Sequence, residues 1–459
     1  MFDFDLIVIG AGPGGYEAAL HAAKLGLKTA VVERREVGGT CLNRGCIPTK
    51  ALLHASTVYE EAKQGAELGV AAENLSYDLN AMFAYKQQVV EKLRGGIEGL
   101  FKAAKVTLIR GTGTLTAPNT VTVAGENEGA YTAQNILLAT GSVPARPPIP
   151  GLDLPGVMTS DELLNGEGGD FASLVIIGGG VIGMEFATFY NDLGVAVTVV
   201  EGLDRLLPNM DRELGQNLAM IMKKRGVQVF TGAMVKDLEQ TDAGLQVNFE
   251  TRGKLQSVVG ERVLCAIGRS PYTAGLFAEG MAPEMDRRRI RVNEKFETSL
   301  AGVYAIGDVS SPVQLAHVAT AQGIYAVNLI AGKPNGMDLS LVPGCVYVRP
   351  EIAAVGLTEA DAKAQNIPVK TAKALMSANG RTVILNGDRG FMKLVAHAET
   401  KKLLGAQLMC ANASDMISQF SEAIANGQTP ADLLKAMRPH PTFEEALTAA
   451  LEELNAKLG

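Results

Sequence analysis

Two stretches of this 459-residue chain repeat one another at a spacing of 168 residues, and the repeated unit admits few folds. The first copy opens on the apolar, β-branched segment Asp5-Leu6-Ile7-Val8-Ile9 and passes into Gly10-Ala11-Gly12-Pro13-Gly14-Gly15. An Ala-rich helical segment follows, closing at Leu25-Gly26, and a second apolar strand from Lys28 to Val32 ends at Glu33. The second copy has Leu174 to Ile177, then Gly178-Gly179-Gly180-Val181-Ile182-Gly183, then Leu193-Gly194, then Val195 to Val200 ending at Glu201. Strand, glycine-rich turn, helix and strand form a βαβ unit of a parallel sheet. One GxGxxG is weak evidence; two, each closing on an acid 23 residues after its first Gly, are strong.

The predicted fold class is therefore α/β, with two Rossmann-like dinucleotide-binding domains, and the chemistry of a dinucleotide explains the spacing. Gly10 and Gly178 make a tight turn, Gly12 and Gly180 let a pyrophosphate approach the backbone, and Gly15 and Gly183 let helix pack on strand. Gly14 and Ile182 complete the loops, whose phosphates would sit on the exposed N–H groups of a helix start. Glu33 and Glu201 would accept hydrogen bonds from a ribose diol; otherwise they are ordinary carboxylates at strand ends. A 2′-phosphate beside Glu201 would be repelled by about 1 kcal/mol in water and about 4 kcal/mol at an effective dielectric of about 20, per unit charge at about 4 Å. Arg205 is the one nearby guanidinium, so NAD is expected over NADP.

Just past the first unit stands Cys41-Leu42-Asn43-Arg44-Gly45-Cys46, running into Ile47-Pro48-Thr49-Lys50 and a predicted helix start. A disulfide needs Cα atoms within about 7 Å, and a first helical turn after a glycine-containing bend supplies that. The helix N-terminus favours the Cys46 thiolate. The pair reads as a redox-active disulfide; a passive staple or two buried free thiols are the alternatives. Flavin exchanges a hydride with nicotinamide and also reacts with a thiolate, which nicotinamide does not easily do. FAD is accordingly assigned to the first fold, whose loop leads into the dithiol, and NAD to the second.

Length alone suggests about three domains. Lys plus Arg number 42 against 49 for Asp plus Glu, a net charge of −7 without a basic block, which argues against nucleic acid as a partner. Apolar runs break well short of about 18 residues, so no membrane span is expected. The acidic Met1–Asp5 start leads straight into a strand, so no secretory leader is expected. Five cysteines with one close pair suit a cytosolic catalyst better than a secreted disulfide framework.

From these motifs onward the chain resembles the flavoprotein disulfide reductases (class I pyridine nucleotide-disulfide oxidoreductases) over nearly its whole length. Ala139-Thr140-Gly141-Ser142, Ala266-Ile267-Gly268-Arg269, Tyr304-Ala305-Ile306-Gly307-Asp308 and His440-Pro441-Thr442-Phe443-Glu444-Glu445 also carry the resemblance. It implies an FAD-binding domain over 1–145, an NAD-binding domain over 146–269, a central domain over 270–338 completing the FAD site, and a C-terminal α+β interface (dimerisation) domain over 339–459. It places Asp308 on the ribityl chain and Ala316 near the flavin ring. Further FAD contacts are implied at Gly39, Thr40, Lys50, Gly113, Thr140, Gly141 and Ser142, with Val235 and Gly268 lining the NAD site.

The same resemblance makes Cys41 the thiol that exchanges with substrate and Cys46 the one lying against the flavin, beside a Lys50–Glu185 ion pair. His440 would be the base that deprotonates a dithiol substrate, an imidazole of ordinary pKa ~6.5 suiting that task, with Glu445 orienting the ring. Both would reach the dithiol of the partner subunit in a homodimer. His21, His54 and His397 lack such a setting, His317 resembles a flavin-adjacent position acting through its backbone, and no His/Cys cluster has metal-ligand spacing. Thr49 stands where the family commonly has Ser, Pro439 where it has Ala, and Tyr272 where it has Asn, in the loop expected to close the NAD site. The activity implied is that of the branch that oxidises protein-bound dihydrolipoamide with NAD⁺. Its partners would be a lipoyl-bearing acyltransferase or a glycine-cleavage carrier protein, in the cytoplasm. The rival readings are reduction of glutathione or a related disulfide, and a non-catalytic redox sensor. The chain's last residues, Ala456 to Gly459, carry no vicinal cysteines, which argues against mercuric reduction.

Overall fold

The computed structural model describes residues 2–387 and 389–459. The first region runs β1 (Phe4–Ile9), α1 (Pro13–Lys24), β2 (Thr29–Glu33), α2 (Gly39–Arg44), α3 (Cys46–Gln64), α4 (Leu79–Ala104), β3 (Thr107–Arg110), β4 (Thr112–Ala117), β5 (Thr120–Ala124), β6 (Gly129–Leu138) and β7 (Ser142–Pro144). Its sheet has the order β3-β2-β1-β6-β5-β4, parallel from β3 to β6 and antiparallel beyond. Leu6, Ile7 and Val8 are fully buried, which is why β1 reads as an unbroken apolar run: a parallel strand covered on both faces has no polar side to show.

The second region runs β8 (Val157–Met158), α5 (Ser160–Leu164), β9 (Ser173–Ile177), α6 (Val181–Asp192), β10 (Ala196–Glu201), α7 (Arg212–Lys224), β11 (Gln228–Thr231), β12 (Ala233–Thr241), β13 (Gly244–Thr251), β14 (Lys254–Gly260) and β15 (Arg262–Cys265). A parallel sheet β11-β10-β9-β15-β8 carries a three-stranded antiparallel flap, β12-β13-β14. The repeat seen in the sequence persists in the register. Leu6↔Thr29 and Ile9↔Val32 in the first sheet become Leu174↔Val197 and Ile177↔Val200 in the second.

The chain then returns to the first sheet. After β16 (Arg269–Pro271), β17 (Met285–Asp286) and β18 (Arg289–Ile290), β19 (Val303–Ala305) pairs parallel with β6, and α8 (Ala316–Ile330) packs on α1. The remaining region is β20 (Gly344–Val346), β21 (Ile352–Gly356), α9 (Glu359–Ala364), β22 (Val369–Leu375), α10 (Gly380–Ile384), β23 (Phe391–His397), β24 (Leu403–Met409), α11 (Ala413–Ala425), α12 (Pro430–Leu433) and α13 (Glu445–Leu458). Its antiparallel sheet, β20-β21-β24-β23-β22, is covered by α11 and α13 through Phe420, Leu447 and Leu451. Among the described residues no helix is long and apolar enough to cross a membrane.

Two glycines decide whether the helices can close on their strands. A Cβ at Gly15 would lie 1.9 Å from the Gly10 carbonyl oxygen, and one at Gly183 would lie 2.0 Å from that of Gly178. Both obstacles are backbone, so neither can swing aside. Gly183→Ala is therefore expected to destabilise the protein by about 3 kcal/mol, read as a lower midpoint in thermal unfolding.

Candidate active site

The dithiol segment is wedged against the first glycine loop. Gly38 and Gly39 take left-handed backbone angles (φ +93° and +57°), and a Cβ at Gly39 would lie 2.5 Å from the Gly12 Cα. The sequence reading expected one helical turn after a bend; the structure has two helices broken at Gly45. Cys41 lies in α2 and Cys46 opens α3. A Cβ at Gly45 would come within 3.0 Å of the Thr40 carbonyl oxygen and 3.3 Å of the Cys41 Cα, so glycine is what lets the two helix ends approach. Thr49 donates its hydroxyl to the Gly45 carbonyl at 2.7 Å, and Asn43 donates to the carbonyls of Val37 and Gly39, both at 2.9 Å.

Cys41 and Cys46 are free thiols and hydrogen-bond to one another. That bond divides their acidities. Cys46 is brought down to about 7, first by the hydrogen bond from Cys41 and then by the charge of Lys50, which together outweigh its burial. Cys41 is pushed far up, because it donates to its neighbour and is itself desolvated. Cys46 is the thiolate of the pair, and the surface it exposes faces a cavity.

Lys50, one turn into α3, places its ammonium 2.7 and 2.9 Å from the two oxygens of Glu185 on α6. Glu185 is 3% exposed, and its Oε1 also accepts the Tyr347 N–H at 3.1 Å. The ammonium lies 4.6 Å from the Tyr347 ring centroid. Burial alone would lower Lys50, but the Glu185 carboxylate holds it above the ordinary lysine value. A second junction of the same elements lies further along both helices. Asp192, at the end of α6 and fully buried, binds Ser56 of α3 (2.8 Å), Arg225 (2.5 Å) and Arg349. Sequence reasoning missed Tyr347, Ser56, Arg225, Arg349 and this Asp192 cluster. They are 33 to 157 residues from Asp192, and no local pattern marks them.

One cavity of about 1620 Å³ runs past the dithiol and the ion pair. One end is walled by Gly10, Gly12, Gly14, Glu33, Gly39 and Thr40, with Thr140, Gly141, Ser142, Asp308 and Ala316. The other is walled by Gly178, Gly180, Ile182, Glu201, Val235 and Gly268. Gly15 and Gly183 are spent on packing; a Cβ at Gly113 would meet Val32, Val121 and Ile9, and Gly113 is not among the residues that line the cavity.

The two ends fit dinucleotides. A Cβ at Gly180 would meet nothing within 4 Å, and one at Gly12 only the Gly39 Cα at 3.9 Å, so both backbones are open to an approaching phosphate. Glu33 accepts from the N–H groups of Ala11 and Arg35, both at 2.8 Å. Glu201 repeats this 168 residues later, accepting from Gly179 (2.5 Å) and Leu203 (2.7 Å). Arg205 is occupied by Asp204 (3.1 Å) and the Pro208 carbonyl (2.9 Å), which leaves it poorly placed to receive a 2′-phosphate. Asp308 is bridged by the Ser142 hydroxyl (2.5 Å), which in turn accepts from Arg269 Nε at 2.8 Å. Burial raises the Asp308 carboxyl, opposed by Ser142 and Arg269.

His440 stands apart from this cavity. Its Nδ1 is 2.6 Å from Glu445 Oε1, while Glu445 Oε2 accepts the Thr442 N–H at 2.9 Å. The His440 side chain is 80% exposed, and neither it nor Glu445 lines the dithiol cavity of its own chain. Of the other histidines, His21 binds Asn328 (2.8 Å), His317 binds the Pro343 carbonyl (2.8 Å), His397 caps a turn and His54 is exposed. Removing the Lys50 charge should raise Cys46, since the thiolate loses its cation and faces Glu185 unscreened. Lys50→Met is expected to move the ultraviolet thiolate titration of the reduced protein upward by about one pH unit or more.

This arrangement of paired nucleotide loops and a dithiol has relatives. Residues 4–323 match the pyridine nucleotide-disulphide oxidoreductase family and residues 342–451 its dimerisation domain, so the chain pairs with a second copy of itself. It is 40% identical to a dihydrolipoyl dehydrogenase of Bacillus subtilis, covering 98% of this chain and 96% of the relative. It is 42% identical to that of Thermus scotoductus, covering 99% and 98%. Among solved structures, LpdA of Mycobacterium tuberculosis superposes with a TM-score of 0.88 at 28% identity, covering 98% of this chain and 99% of that one. A Cu(II) complex of the HOCl-induced flavoprotein disulfide reductase RclA of Escherichia coli does so at 0.87 and 27%, covering 99% and 100%. With both halves of the chain matched and whole-length relatives near 40% identity, the chain belongs to the pyridine nucleotide-disulphide oxidoreductase family.

Proposed function

We propose that this protein is a dihydrolipoyl dehydrogenase, an FAD-dependent disulfide oxidoreductase that oxidises protein-bound dihydrolipoamide to lipoamide and reduces NAD⁺ to NADH. The observation that carries the reading is the single cavity lined by a polarised Cys41–Cys46 pair, the Lys50–Glu185 ion pair and two dinucleotide cradles. The domain division is the one expected from the sequence: FAD over 1–145, NAD over 146–269, a central segment over 270–338 and the interface region from 339. The partner supplying the dithiol is a lipoyl-bearing acyltransferase of a 2-oxo acid dehydrogenase complex or a glycine-cleavage carrier protein, in the cytoplasm.

The roles follow from the geometry and the family. His440, held in one tautomer by Glu445, takes a proton from the substrate dithiol. The resulting thiolate attacks Cys41 of the oxidised pair, and Cys46 leaves as the thiolate, the form its surroundings favour. The second substrate thiol then displaces Cys41, closing the lipoyl disulfide. Two electrons have passed from substrate to the cysteine pair. FAD bound beside Cys46 supplies the two-electron path from that pair to NAD⁺. Lys50 stabilises the Cys46 thiolate, and the open backbone at Gly12 and Gly180 receives the two pyrophosphates. The fixed Glu201 carboxylate sets the preference for NAD over NADP.

Because His440 is exposed and outside its own chain's cavity, the base serves the partner subunit's dithiol. His440→Gln is expected to lower kcat for dihydrolipoamide by about 10²- to 10⁴-fold, and Cys41→Ser to abolish turnover while FAD stays bound. Co-expressing the two inactive chains separates the arrangements. Their mixed dimer contains one site with both Cys41 and His440 intact, so about a quarter of the wild-type rate should return. No return of activity would place the base and dithiol of a working site in one chain.

A further inference from the structure

Tyr272 lies in the loop expected to close the NAD site, but the structure ties it to the first nucleotide cradle. Its backbone is pinned on the turn after β6: the Tyr272 N–H donates to the Gly141 carbonyl at 2.9 Å, and the Thr140 hydroxyl donates to the Tyr272 carbonyl at 2.6 Å. Its side chain reaches the residue after β2. The Arg34 guanidinium carbon lies 4.0 Å from the Tyr272 ring centroid, and Arg34 Nη1 donates to the tyrosine hydroxyl at 2.7 Å. In the first sheet β1 stands between β2 and β6, and the glycine loop from Gly10 to Gly15 leaves the end of β1. A bridge from the end of β2 to the end of β6 therefore crosses the crevice that this loop opens, and Arg34 and Tyr272 both line the cavity there. Glu33, adjacent to Arg34 and fixed by the Ala11 and Arg35 N–H groups, marks the end of that crevice where a ribose diol would bind.

We propose that the Arg34–Tyr272 bridge is a clasp over the adenosine half of FAD, which slows release of the cofactor. It needs an aromatic face at position 272, since the stacked guanidinium and the hydroxyl bond act together to hold Arg34 across the crevice. The inference rests on the flavin assignment of the first site and is independent of the sulfur substrate.

The test is the rate of FAD release from purified holoenzyme diluted without substrate, followed by the rise in flavin fluorescence. Tyr272→Asn and Arg34→Ala should each speed release by roughly tenfold, the size of one stacked cation–aromatic contact. The double variant should be no faster than either single one, because both remove the same bridge. Tyr272→Phe, which keeps the ring and loses the hydroxyl, should fall between. Affinity for NAD⁺ should not change in any of them. Unaltered release in Arg34→Ala, a substitution at an exposed side chain, would overturn the proposal even if Tyr272→Asn folded poorly. Strictly additive effects, or weakened NAD⁺ binding with normal FAD retention, would overturn it as well. Absence of dihydrolipoamide turnover by the wild-type holoenzyme would count against the proposed substrate and leave the clasp standing, whereas unchanged FAD release in the variants refutes the clasp on its own measurement.

Discussion

The Lys50–Glu185 ion pair sits where three distant stretches of chain meet, and its position depends on all of them. Lys50 comes from the helix that begins at Cys46, Glu185 from the helix that begins at the second glycine loop, and the Tyr347 N–H from the strand region near 345. A carboxylate as buried as Glu185 is stable in its charged form only if its partners are in place. Removing one partner of such a pair costs about 3–5 kcal/mol, so the pair enforces the alignment as much as it benefits from it. The Asp192 cluster repeats the arrangement further along, with Ser56 and Arg349 from the corresponding segments and Arg225 added from the end of α7. Two polar junctions at separate points along α3 and α6 fix both the distance and the rotation between the helices, which one would not.

That alignment makes one cavity from two cradles. The glycine loops are alike down to their hydrogen bonds, with Glu33 on Ala11 and Arg35 matched by Glu201 on Gly179 and Leu203. Their surroundings differ. The first loop is held against the dithiol segment by the close contact of Gly12 with Gly39, whereas the second has Glu185 on its own helix. A duplicated binding unit thus lines one cavity with two cradles beside a dithiol, and Lys50 of the ion pair tunes its thiolate. The exposed His440 and its Glu445 lie in the C-terminal region, which matches the family's dimerisation domain.

How much of this the sequence disclosed depends on the range of each interaction. The two βαβ units were legible because strand, turn, helix and acid fall within about 25 residues, and each feature has a local cause. Cys41, Cys46, Lys50 and Glu185 were legible through motif and resemblance, and the structure brings all four to one place. The break between α2 and α3 was not, because it turns on a close approach at Gly45 that one-dimensional spacing cannot show. Gly113 was expected to touch FAD through resemblance alone; a Cβ there would meet Val32 and Val121, so any contact would have to come from its backbone. Tyr272 was read with the neighbouring NAD loop because it follows Gly268-Arg269. In space β16 pairs with β7, which carries it to the FAD end instead. The Asp192 cluster joins residues that share no motif at all, and only packing reveals it.

The central claim is that a dithiol substrate and NAD⁺ exchange electrons through the Cys41–Cys46 pair. Its most direct test is steady-state NADH formation by the purified protein with dihydrolipoamide and NAD⁺, beside NADPH oxidation with oxidised glutathione. Rapid NADH formation in the first mixture, with little reaction in the second, is the result this account expects. NADPH-driven reduction of glutathione, or no turnover in either mixture by protein that retains its FAD, would contradict it.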